Sequence, residues 1–124
     1  MAGKKNQDEL NEFLNKVSKK ILDNFEVDEI ILFGSYAKGS EDDESDIDIA
    51  IVSPDLNEKF PMFENALAVH RKADLYEPYL QLVPFHSRKF YQETHIDPGF
   101  VAEIKKTGKR IYTKDSGLAL PISA

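Results

Sequence analysis

The sequence predicts a small α/β (α+β) domain, a mixed β-sheet flanked by helices. Three observations carry that prediction. Stretches with apolar residues at helical spacing alternate with short runs rich in β-branched residues. The junctions between them carry clear stop and start signals at Gly34, Gly39, Ser53-Pro54, Asp97-Pro98 and Gly108. No repeat, linker or low-complexity tract divides the 124 residues, which suffice for one domain with one modest core.

Met1 to Gln7 is polar and is expected to fray. The domain is placed at residues 8–113, with 1–7 and 114–124 as flexible ends. From Asp8 to Phe25, Leu10, Phe13, Leu14, Val17, Ile21, Leu22 and Phe25 follow a helical period, with Asp8 as N-cap. Lys16, Lys19 and Lys20 fall on the opposite, solvated face. Ile30 to Phe33 reads as a buried strand. Gly34 ends it, and Ser35 to Lys38 form a short helix closed by Gly39. Ser40 to Ser45 is an acidic surface loop.

Asp46 to Val52 starts polar and becomes continuously apolar, as expected of a strand whose first residues face a cleft and whose end is buried. Ser53-Pro54 stops it. Asn57 to about Arg71 reads as a helix with Pro61 in its first turn. Its inner face is assigned to Phe60, Phe63, Ala66, Leu67 and His70. Leu80 to Pro84 reads as a strand that could start at Tyr76 and be interrupted by Pro78, a proline marking either an edge position or the strand start. Ser87 caps a short helix reaching Glu93. Asp97-Pro98 opens a helix whose inner face is Phe100, Val101 and Ile104 and whose end is Gly108. Arg110 to Thr113 is a final strand.

The net charge of −6 argues against non-specific nucleic-acid binding, which needs a basic face. It leaves room for a nucleotide whose charge is carried by a metal ion. The absence of cysteine rules out disulfides and thiolate sites. No secretory leader and no membrane-length apolar run is visible, so a cytoplasmic protein is expected. His70, His86 and His95 lack metal-ligand spacing and read as structural or surface residues. Tyr36 reads as a packing or rim residue.

The chemistry concentrates in Gly34-Ser35, ten intervening residues, then Asp46-Ile47-Asp48. Side chains two apart on a strand share a face, which puts Asp46 and Asp48 side by side with Cα atoms about 6.5–7 Å apart. Two such carboxylates repel each other, and a cation resolves the conflict. Magnesium suits carboxylate and phosphate oxygens. Two ions would stabilise both the entering and the leaving oxygen of a phosphoryl or nucleotidyl transfer. Gly34 lets the backbone approach a phosphate, the following amides point outward, and the Ser35 hydroxyl adds a donor. Lys38 is a further candidate phosphate contact. Ser35 reads as a phosphate ligand rather than a nucleophile, since no base accompanies it.

These residues resemble the nucleotidyltransferase superfamily typified by DNA polymerase beta, and more closely the minimal nucleotidyltransferase (MNT) proteins. Gly34-Ser35 and Asp46-Ile47-Asp48 match the family's Gly-Ser, ten residues, Asp-x-Asp signature without a gap. Phe33 to Gly39 and Ile104 to Tyr112 are similar to its flanks and its closing segment. The resemblance implies ATP as substrate, a triphosphate held at Gly34-Ser35, and magnesium, as two ions, held by Asp46 and Asp48. It implies transfer of AMP to a hydroxyl with release of pyrophosphate. Many such domains are antitoxins of a HEPN-domain toxin, and some modify a tyrosine of that partner.

The family places a third carboxylate on the following strand, and the matching position here is Gln81. Glu77 is the first candidate to supply it instead and Asp74 the second; otherwise there is none. The reading is thus an AMP transferase acting on a partner protein, with Asp46, Asp48 and Glu77 as catalytic residues. The alternatives are a small-molecule nucleotidyltransferase of the aminoglycoside-modifying kind and a catalytically degenerate binding antitoxin. The partners expected are a nucleoside triphosphate and a HEPN-type toxin, with homo- or hetero-oligomers open.

Overall fold

The structure, a computed structural model, describes residues 5–92 and 98–122. Helix α1 spans Gln7–Asn24 and buries Leu10, Phe13, Leu14, Val17 and Ile21, the stripe its periodicity marks. Its N-cap is Asn6, two residues earlier than Asp8. The Asn6 side chain accepts the Glu9 amide at 2.8 Å, and the Glu9 carboxylate accepts the Asn6 amide at 3.0 Å. This reciprocal capping satisfies two amides that the first turn leaves free, and Asp8 is left inside that turn.

Five strands form one mixed sheet. They are β1 (Glu29–Phe33), β2 (Ile47–Ser53), β3 (Leu80–His86), β4 (Lys109–Thr113) and β5 (Gly117–Leu118), in spatial order β3-β2-β1-β4-β5. β1 runs antiparallel to β2 and β4, whereas β3 runs parallel to β2. β3 lies at the edge, as Pro84 requires, since proline cannot donate to a further strand.

The sheet buries both faces. Ile47, Ile49 and Ile51 of β2 point into a core with α1 and α3 (Met62–Lys72). Ala50 and Val52 point the other way, with Ile31, Val83 and Phe85, against α4 (Ser87–Gln92) and α5 (Pro98–Thr107). Strands covered on both sides read as continuous apolar runs, which is why β2 loses its alternation after Asp48. α5 ends where expected, with the Gly108 amide bonded to the Ile104 carbonyl at 2.8 Å.

Four expectations need correction. α3 starts at Met62 with Pro61 as its N-cap, and it buries Asn65 and Val69 rather than the predicted face. Phe60, Phe63 and Leu67 are exposed. Asn65 sets this phase: its carboxamide donates to the Asn57 carbonyl at 3.0 Å and accepts the Asn57 amide at 3.2 Å. A buried amide with both bonds made outranks apolar periodicity in orienting a short helix. Second, His86 caps α4 in place of Ser87. Its Nδ1 accepts the Arg88 amide at 3.1 Å, while Ser87 Oγ is buried without a partner among the described residues. Third, the sheet and the α1 cap extend past residues 8–113 on both sides. Lys5 and Asn6 lead into the α1 cap, and the tail pairs through β5 and returns to α1. There the Ile122 amide donates to the Asn11 side chain at 2.9 Å, and Gln7 donates to the Ile122 carbonyl at 2.7 Å. Fourth, β2 begins at Ile47, leaving Asp46 just outside it. The expected N-cap Asp97, Glu93 and His95 lie outside the described residues.

Candidate active site

The register of β1 and β2 builds the site. Phe33, the last residue of β1, lies directly across from Asp48. The chain leaves β1 through Gly34 at φ +73° and ψ −155°, a region that only glycine enters freely. A second reason demands glycine: a Cβ there would sit 2.1 Å from Asp48 Oδ2. The carboxylate therefore rests against the backbone of the turn. The Gly-Ser turn and the Asp-x-Asp segment, ten residues apart in the chain, are one contact in space.

Beyond Gly34 the short helix α2 (Ser35–Lys38) opens. The Ala37 and Lys38 amides bond back to the Gly34 carbonyl at 3.1 Å each. The Ser35 and Tyr36 amides precede any intrahelical acceptor, as first-turn amides do. Gly39 closes α2 in the left-handed conformation. Tyr36 is buried, and its hydroxyl accepts the Lys5 amide at 3.0 Å, so it packs as expected. The acidic loop holds itself: Asp42 accepts from the Glu44 amide and the Ser45 hydroxyl at 2.9 and 3.1 Å.

Asp46 is exposed and Asp48 half-buried. Burial, and then the charge of Asp46, push the Asp48 carboxyl above the ordinary carboxylate range. Two crowded carboxylates, one of them withdrawn from water, are suited to a hard divalent cation that also binds phosphate oxygens. Among the described residues no set of three His, Cys, Asp or Glu side chains gathers into a metal-binding cluster. Among the described residues, then, no third acidic side chain joins the pair.

The parallel register places Gln81 of β3 beside Asp48. Glu77 is not brought to the pair. Its carboxylate is bonded to Lys16 of α1 at 2.6 Å. Asp74 is highly exposed, and its carboxylate lies 4.0 Å from Lys20. The structure pairs Glu77, the expected third catalytic carboxylate, elsewhere: α1 lies against the sheet face opposite Asp48 and supplies the lysine that holds it. Lys38 also turns aside, to Glu103 of α5 at 3.1 Å. That pair is half-exposed and weak enough to open for an anion.

The Lys16 bond holds the Glu77 carboxyl below its ordinary range and raises the Lys16 ammonium. A depressed carboxylate stabilises the fold above its unfolded pKa and loses that contribution as pH falls through the folded value. Glu77→Gln is therefore expected to lower Tm at neutral pH, with the deficit shrinking in acid below the ordinary glutamate range. Paired melting curves from pH 3 to 7 check this.

Aromatic packing beside Asp48 had no signal beyond helical spacing. Phe33 meets Phe100 of α5 edge-on at 5.8 Å, and Phe85 lies 6.1 Å from the same ring. A separate cleft of about 290 Å³, lined by Phe60, Met62, Pro84 and His86, lies toward the other end of β3 and includes neither Asp46 nor Asp48.

Residues 15–117 match the family model described as polymerase beta, nucleotidyltransferase. The chain belongs to that family. A Methanocaldococcus jannaschii protein provisionally named a protein adenylyltransferase is 32% identical over 105 residues, covering 82% of this chain and 94% of that one. Another from the same organism, under the same provisional name, is 42% identical over 59 residues, which is 48% of this chain. The match spans only 57% of that relative's length. Among solved structures, a chain of the complex of tri-AMPylated Shewanella oneidensis HEPN toxin with MNT antitoxin superposes with a TM-score of 0.51. It is 25% identical, over 89% of this nucleotidyltransferase-family chain and 75% of that one. The mixed sheet and its helices are the polymerase beta-like nucleotidyltransferase fold.

Proposed function

We propose that this protein transfers AMP from ATP to a hydroxyl group on a partner protein, and that the partner is a HEPN-type toxin. The observation that carries the reading is the contact of the Asp48 carboxylate with Gly34, which supports a metal ion at Asp46 and Asp48 and a phosphate at the turn. The similar proteins support the choice of AMP and of a protein acceptor, since their names join adenylyl transfer to proteins with a toxin–antitoxin complex.

In this reading the Ser35 and Tyr36 amides and the Ser35 hydroxyl hold the triphosphate. Asp46 and Asp48 would hold magnesium, which when bound supplies neutralisation of phosphate charge. The turn fixes the α-phosphorus in line with the acceptor oxygen. The new bond joins that oxygen to the α-phosphorus, and the bond to the bridging oxygen breaks. Pyrophosphate leaves with the electron pair, and the acceptor proton passes to solvent. Holding the reactants in that line is the largest service such a site can give.

A second reading is a binding antitoxin without turnover. Gln81 beside Asp48 favours it, because an amide is no base and a poor magnesium ligand. Incubation with magnesium and ATP labelled on either the α- or the γ-phosphate, together with the protein encoded beside this chain, separates the two. Label from α but not γ on that partner is the expected outcome. A tight complex with no label from either supports the binding module.

A further inference from the structure

We infer that this site takes one divalent cation per bound nucleotide, and that Gln81 is the residue that keeps a second from being held. The inference rests on the nucleotidyltransferase reading and concerns the metal content of the same site.

The parallel register pairs Asp48 with Gln81, Ala50 with Val83 and Val52 with Phe85. Paired residues of adjacent strands share a face. The lower two pairs point into the core with α4 and α5, so Gln81 stands on the Asp48 face, at the open rim of the sheet. It is exposed, and its carboxamide makes no hydrogen bond among the described residues. It is the side chain of β3 placed to complete a ligand set with Asp48.

A carboxamide completes it poorly. It carries no charge, and it offers one acceptor oxygen where a carboxylate offers two. Magnesium sheds its water reluctantly and favours anionic oxygens, so a neutral amide does little to draw in a second doubly charged ion. Asp46 and Asp48 supply two negative charges and the nucleotide supplies the rest, which suits one ion shared between protein and phosphates.

Among the described residues, three other acids face cations instead. Glu77 is held by Lys16 at 2.6 Å, and Asp74 is turned toward Lys20. Glu103 of α5 pairs with Lys38 at 3.1 Å. No cluster of three acidic or imidazole groups exists among the described residues.

The test counts ions. The full chain is equilibrated with a non-hydrolysable ATP analogue and Mn²⁺. Free Mn²⁺ is followed by its paramagnetic resonance signal, and bound analogue is measured in parallel. One Mn²⁺ per bound analogue is expected for the unaltered chain, and two for Gln81→Glu or Gln81→Asp. Gln81 is exposed on an edge strand, and a cooperative melting transition confirms that the variants fold. Two ions on the unaltered chain overturn this inference and leave the nucleotidyltransferase reading standing. A single ion in both folded variants overturns the role of Gln81. No uptake of analogue or Mn²⁺ by the unaltered chain overturns the inference and the reading together.

Discussion

Asp48→Asn is expected to abolish nucleotidyl transfer, by about a thousandfold or more, while leaving the empty fold as stable as before or more so. The loss would follow from removing one of the two carboxylates proposed to hold magnesium. Charge stabilisation of several kcal/mol corresponds to about three powers of ten in rate. The stability effect has the opposite sign. Burial and the neighbouring Asp46 raise the Asp48 carboxyl above its ordinary value. A carboxyl raised by folding favours the fold below its unfolded pKa and ceases to do so as pH rises through the folded one. At neutral pH the ionised pair thus weighs against the empty protein, and an amide at position 48 removes that weight. Melting curves across pH 4 to 8 should show the variant gaining on the unaltered chain as pH rises. Magnesium with nucleotide should raise Tm of the unaltered chain and leave the variant unmoved. A variant that keeps its turnover would refute the placing of Asp48 at the reaction centre.

Gly34→Ala is expected to cost about a hundredfold or more in transfer, together with about 1–3 kcal/mol of stability. The new methyl group would lie 2.1 Å from Asp48 Oδ2, so either the turn or the carboxylate must move. A displacement of about 1 Å at the reacting centre suffices for a hundredfold loss. Gly39→Ala is the matched control. Gly39 also has a positive φ, of +74°, but a Cβ there meets nothing within 4 Å. It should carry the conformational cost of about 1–2 kcal/mol without the catalytic one. Equal losses of turnover in the two variants would show that strain, rather than the contact with Asp48, accounts for the effect. Chemical denaturation and single-turnover labelling measure the two quantities separately.

Much of the site was legible because its parts are local. Gly34 punctuates a strand, the first turn after it is short, and a period of two puts Asp46 and Asp48 on one side. The position of Gln81 could also be counted from the segment that follows it, and the register with Asp48 bears it out. Glu77 could not be judged in this way. Its bond is to Lys16, 61 residues away, and only the packing of α1 against the sheet makes that meeting.

The same division runs through the fold. Apolar patterning placed α1 and the strands β1 to β4, because α1 buries one broad stripe and the sheet is covered on both faces. It misjudged the phase of α3, where Phe63 and Leu67 are exposed and Asn65 and Val69 turn inward. Asn65 gave no apolar signal, yet its two bonds to the backbone of Asn57 decide which side faces the core.

By itself, then, the sequence determined the two halves of the candidate site, since a glycine-bounded turn and an alternating strand are set by backbone sterics and nearest neighbours. Only the tertiary structure decided that the halves touch, with the Asp48 carboxylate against Gly34, and that Gln81 stands in register with Asp48. Strand register is fixed by which faces the whole core can bury, and a pairing between residues 48 and 81 has no local cause.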